Sequence, residues 1–170
     1  MKLKILVFAT LLSLCSISGS CQVSDTTAAG LKDLITRFQQ AILEKDSAGF
    51  QNLFFHEKVP FTGIMSKKTE ASVQKKNPAF QGVSVSNSQR FIHEICKNNQ
   101  KQEEKCYNIQ THSDGRIAAV SFDYSFLADD KVIQWGHEKW NLVMAEGSWW
   151  ITDVIFSIHF PGVEPFPFDK

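Results

Sequence analysis

From Arg116 to Phe160 the sequence alternates between apolar and polar residues in three long runs, broken only at "LADDK" and "AEGS". Strand side chains point to opposite faces in turn, so this period of two demands a sheet with one dry and one wet face. Short turn signals between the runs make neighbouring strands antiparallel. "RIAAVSFDYSF", "VIQWGHEKWNLVM" and "WWITDVIFSIHF" therefore form a meander, and "EKCYNIQTHSDG" leads into it.

The last hairpin can be registered from its turn. A two-residue Glu146-Gly147 turn pairs Ala145 with Ser148, and a four-residue loop gives the same register. Met144 then faces Trp149, Leu142 faces Ile151, Trp140 faces Asp153 and Glu138 faces Ile155, all on the core face. Two acids thus share a face with tryptophans, ~7 Å apart as diagonal neighbours across the pair. If Asp130 centres the preceding turn, Val120 meets Trp140, Phe122 meets Glu138, and Tyr124 joins the same end. Strand alternation thus predicts a polar cluster of Tyr124, Glu138 and Asp153 above an apolar floor of Trp140, Leu142, Trp149 and Ile151. His159, in phase with Asp153 and Ser157, extends the polar end. Buried acids raise one another's pKa, so one can stay protonated as a general acid. The alternative is that both acids reach solvent or meet lysines at the strand ends.

Upstream the period changes. Leu31, Leu34, Ile35, Phe38, Ala41 and Ile42 recur at steps of three and four, predicting an amphipathic helix with N-caps offered from Ser24 to Thr27. Asp46 caps a second, short helix through Phe50, Leu53 and Phe54. "KVPFTGIM" reads as a short strand whose Pro60 belongs at an edge or a first position. The lysine-rich residues 66–82 read as a loop or a loosely attached helix. "SNSQRFIHEIC" fits a third helix capped by Ser86 or Ser88. Helices first and strands afterwards make an α+β domain with helices on one face of the sheet.

Residues 1–20 join a basic start, an apolar run and a small-residue exit, the anatomy of a secretory signal. The apolar run is too short to span a bilayer, and no later segment approaches ~20 apolar residues. The expected organisation is a signal at 1–20, a linker at 21–27, one domain at 28–160 and a Pro/Phe-rich tail at 161–170. The product is exported: periplasmic, secreted or lipid-anchored in the cell envelope. Cys21 follows "SGS", which resembles a bacterial lipoprotein box with Ser18 where Leu is usual. Lipidation at Cys21 and simple cleavage beside it both remain open, and a lipid anchor is the expected route to a membrane. In an oxidising compartment Cys96 and Cys106 are free to pair. Eighteen basic residues balance eighteen acidic ones, so there is no surplus of positive charge for a nucleic-acid partner. His93, Cys96, Cys106 and His112 match no familiar zinc spacing, and neither metal nor cofactor is expected.

The ending of the chain resembles the nuclear transport factor 2-like, or SnoaL-like, superfamily. Gly136, Glu138, Trp140 and Leu142 stand in its Gly-x-Glu-x-Trp-x-Leu strand. Gly147, Trp149 and Ile151 stand in its Gly-x-Trp-Lys-Ile return, with Trp150 replacing the usual lysine. The resemblance covers roughly residues 28–160. It implies a cone of curved antiparallel sheet closed by about three helices around a deep apolar pocket, with a homodimer through the outer face of His137, Asn141, Trp150, Thr152 and Phe156. Ketosteroid isomerase-like members carry a basic Asp on the first short strand, and "KVPFTG" has no acid there. The His-Asp pair of dehydratase-like members also lacks a counterpart, though His56 or His93 can reach the pocket mouth. Three functions follow: a binder of a small apolar ligand, an acid–base enzyme (isomerase, dehydratase or hydrolase) of a hydrophobic substrate, or a dimeric interaction module of the envelope.

Overall fold

The computed structural model describes residues 25–167, with side chains from Thr27 onward. The expected signal at 1–20 and the lipidation site Cys21 lie outside the described residues. Helix α1 (Asp25–Glu44) begins inside the segment expected as linker. Its stripe of Leu31, Leu34, Ile35, Phe38, Ala41 and Ile42 is buried throughout, as the spacing predicts. Asp46 caps α2 (Ser47–Gln51), its side chain accepting from Gly49 N at 2.9 Å.

Strand β1 (Pro60–Met65) has Pro60 at its first position but lies inside the sheet, not at an edge. The lysine-rich stretch holds helix α3 (Lys67–Gln74) and is followed by an edge strand, β2 (Val83–Asn87), with no forecast in the sequence pattern. Helix α4 (Ser88–Lys97) is capped by Asn87, which accepts from Arg90 N at 2.9 Å. Neither expected serine is the cap. Ser88 is buried and donates its hydroxyl to Glu57 O at 2.9 Å, which removes it from that role.

The meander follows as β3 (Gln102–Ser113), β4 (Ile117–Ala128), β5 (Lys131–Ala145) and β6 (Ser148–Ile158). The six strands form one curved sheet in the order β2-β1-β6-β5-β4-β3. It is mixed rather than wholly antiparallel, because β1 runs parallel to β6. No helix among the described residues is long and apolar enough to cross a membrane.

Register decides which residues face inward. Val120 pairs with Trp140 and Phe122 with Glu138, as expected, but by a different route. The turn is the pair Asp129-Asp130, both at positive φ, and an irregularity between Phe126 and Leu127 restores the alignment. The Glu146-Gly147 turn is also a two-residue one, with both φ values positive. Leu142 meets Ile151 as foreseen, and then the strand slips. Thr152 is an extra residue in β6, its hydroxyl donating to Asn141 O at 3.0 Å, so Asn141 pairs with Asp153 and Trp140 with Val154.

The bulge reverses the facing of everything after it. Asp153 turns to the outer face, where Asn141 Nδ2 donates to it at 3.2 Å. Val154 is fully buried in its place, and Phe156, expected on the outer face, points inward. The driving force is plain: an unpaired carboxylate costs several kcal/mol to bury, whereas a valine gains about 1.5–3.

Candidate functional site

An open cavity of about 570 Å³ lies between the curved sheet, α1 and α4. Five phenylalanines, Phe38, Phe61, Phe91, Phe126 and Phe156, form its apolar walls. Exposed Arg90, Glu94 and Lys97 stand on the α4 side of the mouth, and Ser84 and Ser86 border it from β2. The inner polar groups are Gln102 and Glu104 from β3, Tyr124 from β4, and Gln134 and Glu138 from β5.

Glu138 is buried, and Trp140 Nε1 donates to its Oε1 at 2.5 Å. Burial pushes its carboxyl from an ordinary 4.5 up to about 7, against the lowering effect of the Trp140 hydrogen bond. Glu104 is the acid that sequence reasoning missed. It lines the same cavity at 4% exposure, and its Oε1 meets no donor. Burial first, and the neighbouring Glu138 charge second, hold Glu104 well above the usual carboxylate range. A signal existed in the alternation of Gln102, Glu104 and Cys106 along β3, obscured because the inward residues there are polar.

Tyr124 reaches the cavity, as the register predicts, yet its hydroxyl is already engaged. It donates to Ser157 O at 2.8 Å and accepts from Gln134 Nε2 at 2.6 Å. Burial and the charge of Glu138 raise its pKa well above 10, so it is a protonated wall group. Gly136 permits this contact, since a Cβ there would lie 2.0 Å from Ser157 O.

The remaining expected residues lie elsewhere. Trp140, Leu142, Trp149 and Ile151 are buried, but none borders the cavity. They fill the interior toward the β5–β6 turn, where Trp140 packs on Phe38 and Phe122 with ring centroids 4.7 and 5.1 Å away. Asp153 is outside, so the acid pair of the cavity is Glu104 with Glu138. His159 is also turned away from it. The His159 ring stacks on Trp135 at 4.1 Å, and its Nδ1 lies 3.2 Å from Glu164 Oε2. Glu164 also accepts from Ser66 and Thr69, so this cluster fastens the C-terminal tail to α3 and the sheet. Exposed His56 and His93 are not among the lining residues.

Cys96 and Cys106 are free thiols, not the expected disulfide. Cys96 is exposed on α4 and donates to Lys45 O at 3.3 Å. Cys106 sits on β3 opposite Tyr124, where burial and then the two glutamates drive its thiol pKa far upward. Among the described residues no group of three His, Cys, Asp or Glu side chains is placed to hold a metal.

Solved structures with the same architecture exist at low sequence identity. A protein of unknown function with a cystatin-like fold from Nostoc punctiforme has a TM-score of 0.59 at 9% identity, covering 85% of this chain and 99% of its own. A nuclear transport factor 2-like protein of unknown function from Pseudomonas putida has a TM-score of 0.57 at 12% identity, covering 80% and 89%. This chain has the nuclear transport factor 2-like fold. A candidate scytalone dehydratase from Novosphingobium aromaticivorans shares that fold with a TM-score of 0.59 at 11% identity, covering 79% and 85%. No protein-family profile matches the sequence, and no curated protein matches it. At these identities the nuclear transport factor 2-like fold is what is shared, and fold alone does not assign chemistry.

Proposed function

We propose that the chain binds a small, largely apolar molecule in the phenylalanine-walled cavity, with its polar end toward Glu104 and Glu138. The observation that carries this reading is the cavity itself. A space of about 570 Å³ with apolar walls and a few converging polar groups has the size and character of a ligand site. The neutral fluorophore N-phenyl-1-naphthylamine should bind at one saturable site, and Ser86→Trp, which places an indole at the mouth, should remove it. Absence of binding, or equal binding to the Trp variant, refutes the reading.

A second reading is favoured by Glu138, a buried carboxyl beside the cavity that titrates near neutral pH. Such a group suits proton transfer to or from a bound substrate, in an isomerase, dehydratase or hydrolase. Turnover of an apolar ring compound should then vanish in Glu138→Gln and survive in Asp153→Asn. Turnover that survives Glu138→Gln refutes the scheme.

We also infer a homodimer through the outer sheet face, with a different set of residues from those the resemblance implies. Ile64, Val83, Val85 and Ile155 are between 45% and 70% exposed. Adjacent register positions bring them together, Thr62 lying between Val85 and Ile155. Sedimentation should show a dimer that Val85→Glu dissociates, and a wild-type monomer refutes it. Export, inferred from residues 1–20, is tested by the mass of the N-terminus in protein from its own host.

A further inference from the structure

The inner end of the cavity is rich in acceptors and poor in donors. Glu104 Oε1 is buried without a donor, and so is Gln102 Oε1 at 7% exposure of its residue. Glu138 has one donor, Trp140, and the Tyr124 hydroxyl already donates its hydrogen bond to Ser157 O. Among the described ion pairs no Lys, Arg or His reaches either glutamate. Burial favours the protonated form of both acids, Glu104 most strongly, so it is Glu138, once ionised, that is best met by a ligand bringing both donors and positive charge. The same cavity is lined by five phenylalanines, whose rings attract a cation that meets their negative faces.

We propose that the cavity takes an organic ammonium ion, its nitrogen set between Glu104 and Glu138 and its apolar body against the phenylalanine walls. This rests on the cavity being a ligand site. The N–H groups of an ammonium meet the unpartnered Glu104 oxygen and Glu138 as charge-assisted hydrogen bonds. A neutral ligand with one hydroxyl leaves most of these acceptors unpaired, and an anion is repelled by Glu138 once it is ionised. The other ionisable groups facing the pair are Cys106 and Tyr124, both held in their neutral forms by burial. The mouth adds Arg90, Glu94 and Lys97 from α4, exposed and screened by solvent. Arg90 and Lys97 offer the rival arrangement, an anionic ligand held at the rim.

Three indoles of similar size separate these outcomes by displacing N-phenyl-1-naphthylamine: tryptamine as cation, tryptophol as neutral alcohol, and indole-3-propionate as anion. Tryptamine should displace the fluorophore at least about tenfold more tightly than tryptophol at pH 8. Its affinity should rise about tenfold from pH 6 to pH 8 as Glu138 loses its proton, because only the ionised fraction is competent. That preference should disappear in the Glu104→Gln, Glu138→Gln double variant while fluorophore binding persists. Equal binding of tryptophol, tighter binding of indole-3-propionate, or no displacement by any indole overturns the ammonium assignment and leaves the cavity reading standing. Failure of the fluorophore itself to bind wild type overturns both.

Discussion

Replacing Glu138 with Gln should stabilise the protein at alkaline pH, and the size of the effect follows from its burial. In the unfolded chain the carboxyl titrates near 4.5, and in the fold near 7. Between those values the folded state holds the extra proton, so stability falls as pH rises through the window. The span between 4.5 and about 7, at about 1.36 kcal/mol for each pH unit, comes to about 3 kcal/mol. A glutamine has the same shape, keeps an oxygen for the Trp140 N–H and never ionises. The stability difference between Glu138→Gln and wild type should therefore move by about 3 kcal/mol in favour of the variant between pH 4.5 and pH 8. Removal of the Glu138 charge also relieves Glu104, which acts in the same direction. Urea unfolding followed by tryptophan fluorescence at fixed ionic strength measures this, and other titrating groups cancel in the difference. In thermal melts the shift at pH 8 should be about 6–12 °C. A change in the difference below about 1 kcal/mol, or one of opposite sign, refutes the claim that this carboxyl is buried without a positive partner.

Other expectations are as direct. Gly136→Ala forces a Cβ onto the β6 backbone at Ser157 and should cost about 1–3 kcal/mol or more in urea unfolding, with loss of fluorophore binding as Tyr124 loses its acceptor. Trp140→Ala should cost about 3–5 kcal/mol, since a fully buried indole is removed and Glu138 loses its one identified donor. At pH 8 iodoacetamide should modify Cys96 readily and Cys106 only after unfolding, as read by peptide mapping. A Cys96–Cys106 disulfide found in the same map would contradict the free thiols seen here.

Much of the fold was legible in the residues. Period-two alternation in β4, β5 and β6 marked the meander, the i, i+3, i+4 stripe marked α1, and Glu146-Gly147 set the first half of the hairpin. Of the expected polar cluster, Tyr124 and Glu138 do share the cavity. The edge strand β2 was missed because "VSVSN" is short and its inward residues are serines at a pocket rim, which carry no hydrophobic pattern. Glu104 was missed for the same reason. A polar residue facing a cavity looks, in one dimension, like a residue facing water.

The phase of β6 shows the boundary most clearly. Its buried positions run Trp149, Ile151, then Val154 and Ile158, so the shift from odd to even was written in the sequence. Strict alternation concealed it and gave Asp153 a pocket it does not occupy. By itself the sequence determined the periods of its elements and therefore which faces had to be dry, because those depend only on near neighbours along the chain. Tertiary structure alone decided which acids meet and where the interior is left empty. Both depend on how β3, β5 and α4 close on one another, and a bulge of one residue is enough to exchange a carboxylate for a valine.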